Sequence, residues 1–407
     1  MSTTTTRSSH DADLIVAGAG AAGLSALWFA LNGPGRDRRI IVVDRDFEPG
    51  DDRTWAFWGT SSTPFAHLAD ARWDRLRVKF PGWETTGRLR RPHGTSPRDR
   101  RTYMRVRRQR FDNEVLSLAA SRENVRFVAQ DIADIRDDRD GGVVALPEGE
   151  LRAPTVLQSV RLAPVARDVE VRHPLRQHFG GWEVRTEFPV FTPQVATLMD
   201  FDTEQHDGTA FFYVLPDARN RALIEHTIFS LAPQPRAFYD RHIAERLAMM
   251  GAGAVEVVRT EYGTIPMEDR LLDQRWGEHV WNIGTVGGRT KPTTGYAFQR
   301  IHAQTRHLIE SWATGAPTPL PNTPWRYGFA DRTLLNILHL HPDRGRPIFE
   351  RLFRTAEIDD VLSFLDEDTR LRDDLRMISG LPRLPFLRAG AAELASEAAG
   401  RLRRSAP

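Results

Sequence analysis

The segment Gly18-Ala-Gly20-Ala-Ala-Gly23 follows the apolar run Leu14-Ile-Val-Ala and opens a helical pattern that continues to Leu31. Each glycine has its own task in a dinucleotide-binding turn. Gly18 permits the tight turn, Gly20 lets the backbone approach a pyrophosphate, and Gly23 allows the helix to pack closely on the sheet. The helix N-terminus then offers unpaired N–H groups and a partial positive charge to phosphate oxygens. A second apolar strand, Ile40 to Val43, ends in Asp44, about 20 residues past the last glycine, where a carboxylate accepts hydrogen bonds from ribose hydroxyls. Strand, glycine turn, helix, strand and acid in that order predict a dinucleotide site rather than a structural turn alone.

A second glycine cluster lies far downstream, in Ile283-Gly-Thr-Val-Gly287-Gly288-Arg-Thr-Lys-Pro-Thr-Thr294-Gly295-Tyr. An apolar strand, His279 to Ile283, leads into it, and a helical pattern from about Thr294 to Trp312 leads out. Such a second junction suits FAD, whose far end carries an isoalloxazine ring. A helix N-terminus there stabilises negative charge on the reduced ring. The alternative is a simple loop in which Pro292 starts a helix.

Glu225 is the candidate acid. It lies in Arg221-Ala-Leu-Ile-Glu-His-Thr-Ile-Phe, and the two-residue period of a strand puts it on one face with Leu223, Thr227 and Phe229. A carboxylate among apolar neighbours is costly in its charged form, so it holds its proton more tightly and can serve as a general acid. The competing reading is an ion pair with one of the many arginines. Glu261, which begins Glu-Tyr-Gly-Thr-Ile-Pro, is the second candidate, with a role in organising a turn near the flavin as the preferred reading. His226 falls on the opposite face from Glu225.

These residues need a scaffold of two interleaved domains, the usual solution for a chain of 407 residues. The pattern predicts an α/β fold: a discontinuous Rossmann-like FAD-binding domain over residues 11–60, 100–165 and 265–312. Residues 61–99 and 166–264 are expected to form an antiparallel β-sheet substrate domain, with strands at Ala196 to Phe201, Ala210 to Leu215, Arg221 to Ser230 and Glu256 to Ile265. Helical spacing at Leu334, Leu335, Ile337 and Leu338, and again at Ile358, Val361, Leu362 and Leu365, marks a C-terminal helical region over 313–390. Residues 1–10 and 391–407 read as polar tails.

The bulk composition excludes several classes. Positive and negative residues nearly cancel, 56 against 54, so the surface is no broad polyanion binder, and nucleic acid is not an expected partner. Lys79 and Lys291 are the only lysines, and arginine supplies the remaining positive charge. Without cysteine there are no disulfides, thiolate metal sites or cysteine nucleophiles. The histidines are scattered and no HExxH or GxSxG occurs, so no metal site or hydrolase triad is expected. The uncharged stretch Leu14 to Leu31 reaches the minimum length of a membrane helix, yet its glycines make a buried strand, turn and helix the better account. Ten arginines and one acid, Asp99, fill the stretch from Arg88 to Arg110. They form either a solvated loop with a helix start or an electrostatic contact with anionic lipid headgroups.

Seven motifs in order give the chain its resemblance to the lycopene cyclase family, from about Asp13 to Phe386. They are Arg53-Thr-Trp-Ala-Phe-Trp58, Gln177-His-Phe-Gly-Gly-Trp182, Leu198-Met-Asp-Phe201, Phe212-Tyr-Val-Leu-Pro216, Leu223-Ile-Glu-His-Thr227, Glu261-Tyr-Gly-Thr-Ile-Pro266 and Gly287-Gly-Arg-Thr-Lys-Pro-Thr-Thr-Gly-Tyr296. The chain departs from the family pattern at Gln158, where an acid is common, and at His226, where a smaller acid, an amide or an aromatic residue is expected. Arg108, in an Arg-x-x-Phe-Asp pattern similar to related flavoproteins, is implied to touch the cofactor.

The resemblance implies a lycopene beta-cyclase, which closes β-ionone rings at the acyclic ends of a carotenoid by proton addition, without net redox change. It implies Glu225 as the essential glutamate, reduced FAD as cofactor with NAD(P)H as electron source, and a polyene substrate. It also implies a cytoplasmic location with peripheral contact at the inner face of the membrane. Two other classes remain open. An FAD-dependent monooxygenase or reductase acting on an apolar isoprenoid shares the first fingerprint, but such enzymes commonly carry Gly-Asp where this chain has Gly284-Thr285. A non-catalytic flavin or carotenoid carrier needs no buried acid.

Overall fold

The computed structural model describes residues 10–90, 99–160, 171–206 and 208–405. The chain begins with β1 (Leu14–Ala17), α1 (Ala21–Leu31), β2 (Ile40–Asp44) and β3 (Thr54–Gly59). There follow β4 (Ala71–Trp73), β5 (Arg75–Phe80), β6 (Trp83–Arg88), β7 (Thr102–Arg107) and α2 (Arg108–Ala120). Next come β8 (Val125–Ala129), β9 (Asp134–Asp138), β10 (Gly141–Leu146), β11 (Gly149–Ala153) and β12 (Val156–Gln158). The long strands β13 (Leu175–Thr186), β14 (Val195–Asp200), β15 (Thr209–Ala218) and β16 (Arg221–Ser230) precede α3 (Arg236–Met249), β17 (Val255–Met267) and β18 (Val280–Asn282). Helices complete the chain: α4 (Phe298–Thr314), α5 (Trp325–Leu340), α6 (Gly345–Thr355), α7 (Ile358–Leu365), α8 (Leu371–Ser379) and α9 (Arg383–Ser405).

Two sheets organise these elements. The first, in the order β18-β12-β1-β2-β8, is parallel throughout. Both of its faces are covered, which is why β1 and β2 read as unbroken apolar runs rather than alternating ones. One face packs against α1, α2 and α4 through Leu24, Leu27, Val115, Leu308 and Trp312. The chain leaves β1 toward β2 on one side and returns to β12 on the other, so a crevice opens at the carboxyl end of β1, the expected ligand position in such sheets.

The second sheet runs β17-β13-β16-β15-β14-β5-β6. Its strands at β14, β15, β16 and β17 fall where the sequence pattern puts them. The antiparallel expectation needs one correction: β14 pairs with β5 in parallel, because β5 and β6 enter from an earlier excursion of the chain. One face is covered by α3, through Ile224, Ile243 and Leu247. On the other face α5, α6, α7 and α8 pack against Leu198, Tyr213, Leu223 and Phe229.

Two local expectations also change. The helix expected from Thr294 begins at Phe298, because Gly295 adopts φ +69°, a left-handed conformation that helical residues do not take. The arginine-rich stretch is not a loop throughout. Tyr103, Met104 and Val106 bury β7 in the core, while residues 91–98 lie outside the described residues.

Candidate active site

The glycine fingerprint forms an open cradle at the carboxyl end of β1. Gly18 holds φ +103°, and a side chain there would strike Ser159 and Val160. A Cβ on Gly23 would run into the Gly18 carbonyl, so the helix crosses the turn at a distance only glycine permits. Gly20 differs: a Cβ there meets nothing within 4 Å, and no side chain caps α1. That vacant approach to an uncapped helix N-terminus is the space and charge a pyrophosphate needs. Asp44 closes the cradle by accepting hydrogen bonds from Ala19 N (2.5 Å) and Arg45 N (2.7 Å).

The downstream cluster joins it. Gly284 to Gly287 form a short 3-10 turn, and a Cβ on Gly284 would lie 2.7 Å from that of Ala22 in the first turn of α1. Gly287 packs against the Asn282 carbonyl, and Gly288 holds φ +72°. Thr294 and Gly295 lie further along, with Gly295 tight against Gln177. Arg108 starts α2, donates to Asp112 (2.9 Å) and Asp52 (2.8 Å), and lies against Gly50. Gln158 is buried and donates to Asn282 Oδ1, tying the ends of β12 and β18 together where the family pattern often has an acid.

The acids meet on the second sheet. Gly181 of β13 is paired with Glu225 of β16 on one side and Glu261 of β17 on the other. Its missing side chain leaves the gap into which both carboxyls lean; a Cβ would come within 2.7 Å of Glu225 Cγ and 3.2 Å of Glu261 Cγ. Glu261 Oε2 accepts from Thr54 Oγ1 (2.8 Å) and Arg259 (2.7 Å). Arg259 itself is held by Glu183 and the Asp51 carbonyl.

Burial and the hydrogen-bonded Glu261 carboxylate raise the Glu225 pKa well above the usual carboxylate value, with Arg259 opposing. Glu225 keeps some accessible surface although protein surrounds its carboxyl. Three tyrosines surround it. Tyr213 is its register partner on β15, Tyr213 Oη lies 3.5 Å from Tyr296 Oη, and Tyr103 completes the group. Burial raises the pKa of all three phenols, so they stay neutral.

Tyr213 and Tyr296 also form part of the wall of a cavity of about 530 Å³ between this sheet and the C-terminal helices. Leu198, Met199 and Phe229 line the sheet side, and Phe353, Leu362 and Phe386 the helix side. Leu371, Leu375 and Leu387 at its rim are 58%, 58% and 68% exposed. An apolar space of this kind, walled in part by the tyrosines around Glu225, suits a hydrocarbon.

Several functional features escape the sequence. Gly181 and Arg259 reveal themselves only through strand register, although the Gly-Gly pair within Gln177 to Trp182 is a usable signal. Trp55 and Trp58 separate: Trp55 stacks on Phe298 at 4.7 Å in the first core, and Trp58 packs edge-on to Tyr296 while donating to Asp366. His226 faces away from Glu225, as the strand period requires, into a cluster with His206 and His242. Most described arginines of the Arg88 to Arg110 stretch are in ion pairs within the chain, with Asp74 for Arg88, Asp359 for Arg101, Asp70 and Asp217 for Arg105, and Asp51 for Arg107.

The parallel sheet with its glycine cradle, the mixed sheet and the helical cap define a flavoprotein-type α/β fold. A geranylgeranyl bacteriochlorophyll reductase-like protein from Thermoplasma acidophilum superposes with a TM-score of 0.61 at 11% identity, over 93% of this chain and 98% of that one. A flavin-dependent halogenase from Xanthomonas campestris gives 0.57 at 11% identity, over 97% and 98%. The lycopene cyclase protein family model matches residues 13–391, and the chain belongs to that family. It is similar to the lycopene beta-cyclase of Pantoea ananas, 26% identical over 93% of this chain and 96% of the relative.

Proposed function

We propose that the protein is a lycopene beta-cyclase that closes rings at the acyclic ends of lycopene, giving γ-carotene and β-carotene, by acid catalysis without net redox change. The observation that carries this reading is the Glu225–Glu261 pair, in which the proton-holding member neighbours Tyr213 and Tyr296, two residues in the wall of an apolar cavity. In the proposed sequence Glu225 gives its proton to the terminal double bond of the polyene, leaving a tertiary carbocation. The inner double bond attacks that centre, and loss of a ring proton restores neutrality. Atoms and electrons balance without an oxidant or reductant. The aromatic faces of Tyr213, Tyr296 and Phe229 stabilise the cation, and the apolar walls exclude the water that would quench it.

The residues present fit FAD: Gly18, Gly20, Gly23 and Asp44 would hold its dinucleotide part, and Gly287 and Gly288 would adjoin its other end. When bound and reduced by NAD(P)H, FAD would supply negative charge close to the cation. Arg108 would support that site by fixing Asp52 and Asp112. The enzyme is proposed to work at the inner face of the cytoplasmic membrane, taking its substrate through the rim of exposed leucines on α8 and α9 rather than through the arginine-rich stretch.

Expression in lycopene-accumulating cells with pigment analysis tests the activity. One- or two-ringed carotenoids are expected. Unchanged lycopene beside folded, flavin-loaded protein would overturn the reading. Stoichiometric consumption of NAD(P)H per product would instead favour a monooxygenase or reductase acting on an apolar isoprenoid.

A further inference from the structure

Behind the acid, on the α3 side of the sheet, three histidines distant in sequence come together. His206 lies in the connection between β14 and β15, His226 on β16 and His242 on α3. Ring centroids are 4.7 Å apart for His206 and His242, 5.0 Å for His226 and His242, and 6.1 Å for His206 and His226. Glu204 joins them, with Oε2 3.7 Å from His206 Nε2. One ligand atom each from Glu204, His206 and His242 falls within 4.8 Å of the other two.

The tautomer of His242 is fixed for coordination. Its Nδ1 lies 2.7 Å from the Phe238 carbonyl, one helical turn back, and must donate to it. Nε2 is therefore left with its lone pair, as in metal-binding histidines whose second nitrogen is held by a carbonyl. His226 supplies an independent observation. It is fully buried against Phe212, and neither ring nitrogen has a hydrogen-bond partner among the described residues. A buried imidazole in that state is costly unless the neighbouring cluster satisfies it.

We propose that Glu204, His206 and His242 bind a divalent cation of the zinc class, clipping the β14–β15 connection to α3. Two imidazoles and one carboxylate are a common three-ligand set for zinc, with water completing a tetrahedron. Tetrahedral bonds of about 2.1 Å put ligand atoms about 3.4 Å apart. The cluster therefore closes by roughly an ångström, a movement available to the exposed Glu204 side chain and to His206 on its loop. His226 backs the site, where the water that completes the metal's coordination would give one of its ring nitrogens the hydrogen-bond partner it lacks. The cation lies on the opposite face of β16 from the cavity, so it braces the strand that carries Glu225 without entering the chemistry.

The test uses the full-length protein, freed of metal by chelation and titrated with zinc chloride by calorimetry. One equivalent bound per chain at micromolar or lower Kd is expected, together with a higher melting temperature. H242Q and, separately, H206Q should weaken binding at least tenfold and abolish the thermal shift, whereas H307Q at a remote surface position should not. Cobalt substituted at the site should give the visible absorption of a tetrahedral centre. Binding no tighter than millimolar would overturn the proposal, as would stoichiometric binding that survives both cluster substitutions.

Discussion

Glu225 and Glu261 lean into the same gap left by Gly181, two carboxyls on non-adjacent strands, and burial together with the neighbouring Glu261 holds the Glu225 pKa well above the usual carboxylate value. Glu261 is held in place by Arg259 and Thr54, whereas Glu225 has only the opposing influence of Arg259 against burial and its carboxyl neighbour, so it is the member that favours its proton.

Glu225→Gln keeps the shape of the donor and removes its acidic proton. Ring formation should fall by at least about 100-fold, the lower range for general acid catalysis. Melting temperature and flavin content should match the parent. Cyclisation within a few fold of the parent would transfer the role to Glu261.

Gly181→Val tests the gap itself. The new side chain enters the space where Glu225 Cγ would lie 2.7 Å from its Cβ, and displaces one carboxyl or both. A displacement of about 1 Å costs on the order of 100-fold in rate. Cyclisation should drop by that order while FAD remains bound; an unchanged rate would show that the carboxyls do not act as a pair.

Gly20→Val and Gly18→Val should part company. Nothing in the protein opposes a Cβ at Gly20, so that variant should fold with the melting temperature of the flavin-free parent yet retain no FAD. Gly18→Val, with positive φ and Ser159 in the way, should lose stability as well. Flavin absorbance after gel filtration, with thermal melts, reads both.

His302 is buried among Phe65, Phe111 and Phe298, and burial depresses its pKa to about 3. The unfolded chain binds a proton near pH 6.5 that the native state refuses, so this group's contribution to stability is complete above that pH and declines as the pH falls. By pH 4 the loss should reach about 3 kcal/mol. His302→Phe removes this dependence, and urea melts of both proteins at pH 7.5 and pH 4.5 should show the variant gaining on the parent at the lower pH.

Leu375 and Leu387 at the cavity rim should matter only when substrate arrives from lipid. Leu375→Glu with Leu387→Glu should slow turnover of liposome-borne lycopene several-fold and leave detergent-delivered substrate unaffected. Equal slowing in both assays would assign the two leucines to packing.

What the sequence discloses depends on the range of the interaction. Gly18, Gly20, Gly23 and Asp44 impose local backbone constraints within one strand–turn–helix unit, so their order suffices to read them. Glu225 and Glu261 are each visible as acids in apolar strands, but their contact depends on β13 passing between β16 and β17 in one register. The cavity is further out of reach, since its roof comes from helices more than a hundred residues beyond the sheet positions they cover. The β5–β14 parallel pair and the His206–His242 approach fail to show for the same reason: scattered spacing carries no period. In the arginine stretch composition reports charge but not the aspartates that pair with Arg88, Arg101, Arg105 and Arg107.

The Arg259–Glu261 pairing also bears on turnover. The Arg259 guanidinium is already shared between the Glu183 and Glu261 carboxylates, so it has no further charge to offer Glu225. Once Glu225 has released its proton the site holds a surplus anion in a poorly polarisable enclosure, and that state is high in free energy. The same repulsion that keeps the proton on Glu225 between turnovers then drives the ionised carboxyl to recapture one, so the donor is reset by the charge balance of its own neighbours, turn after turn.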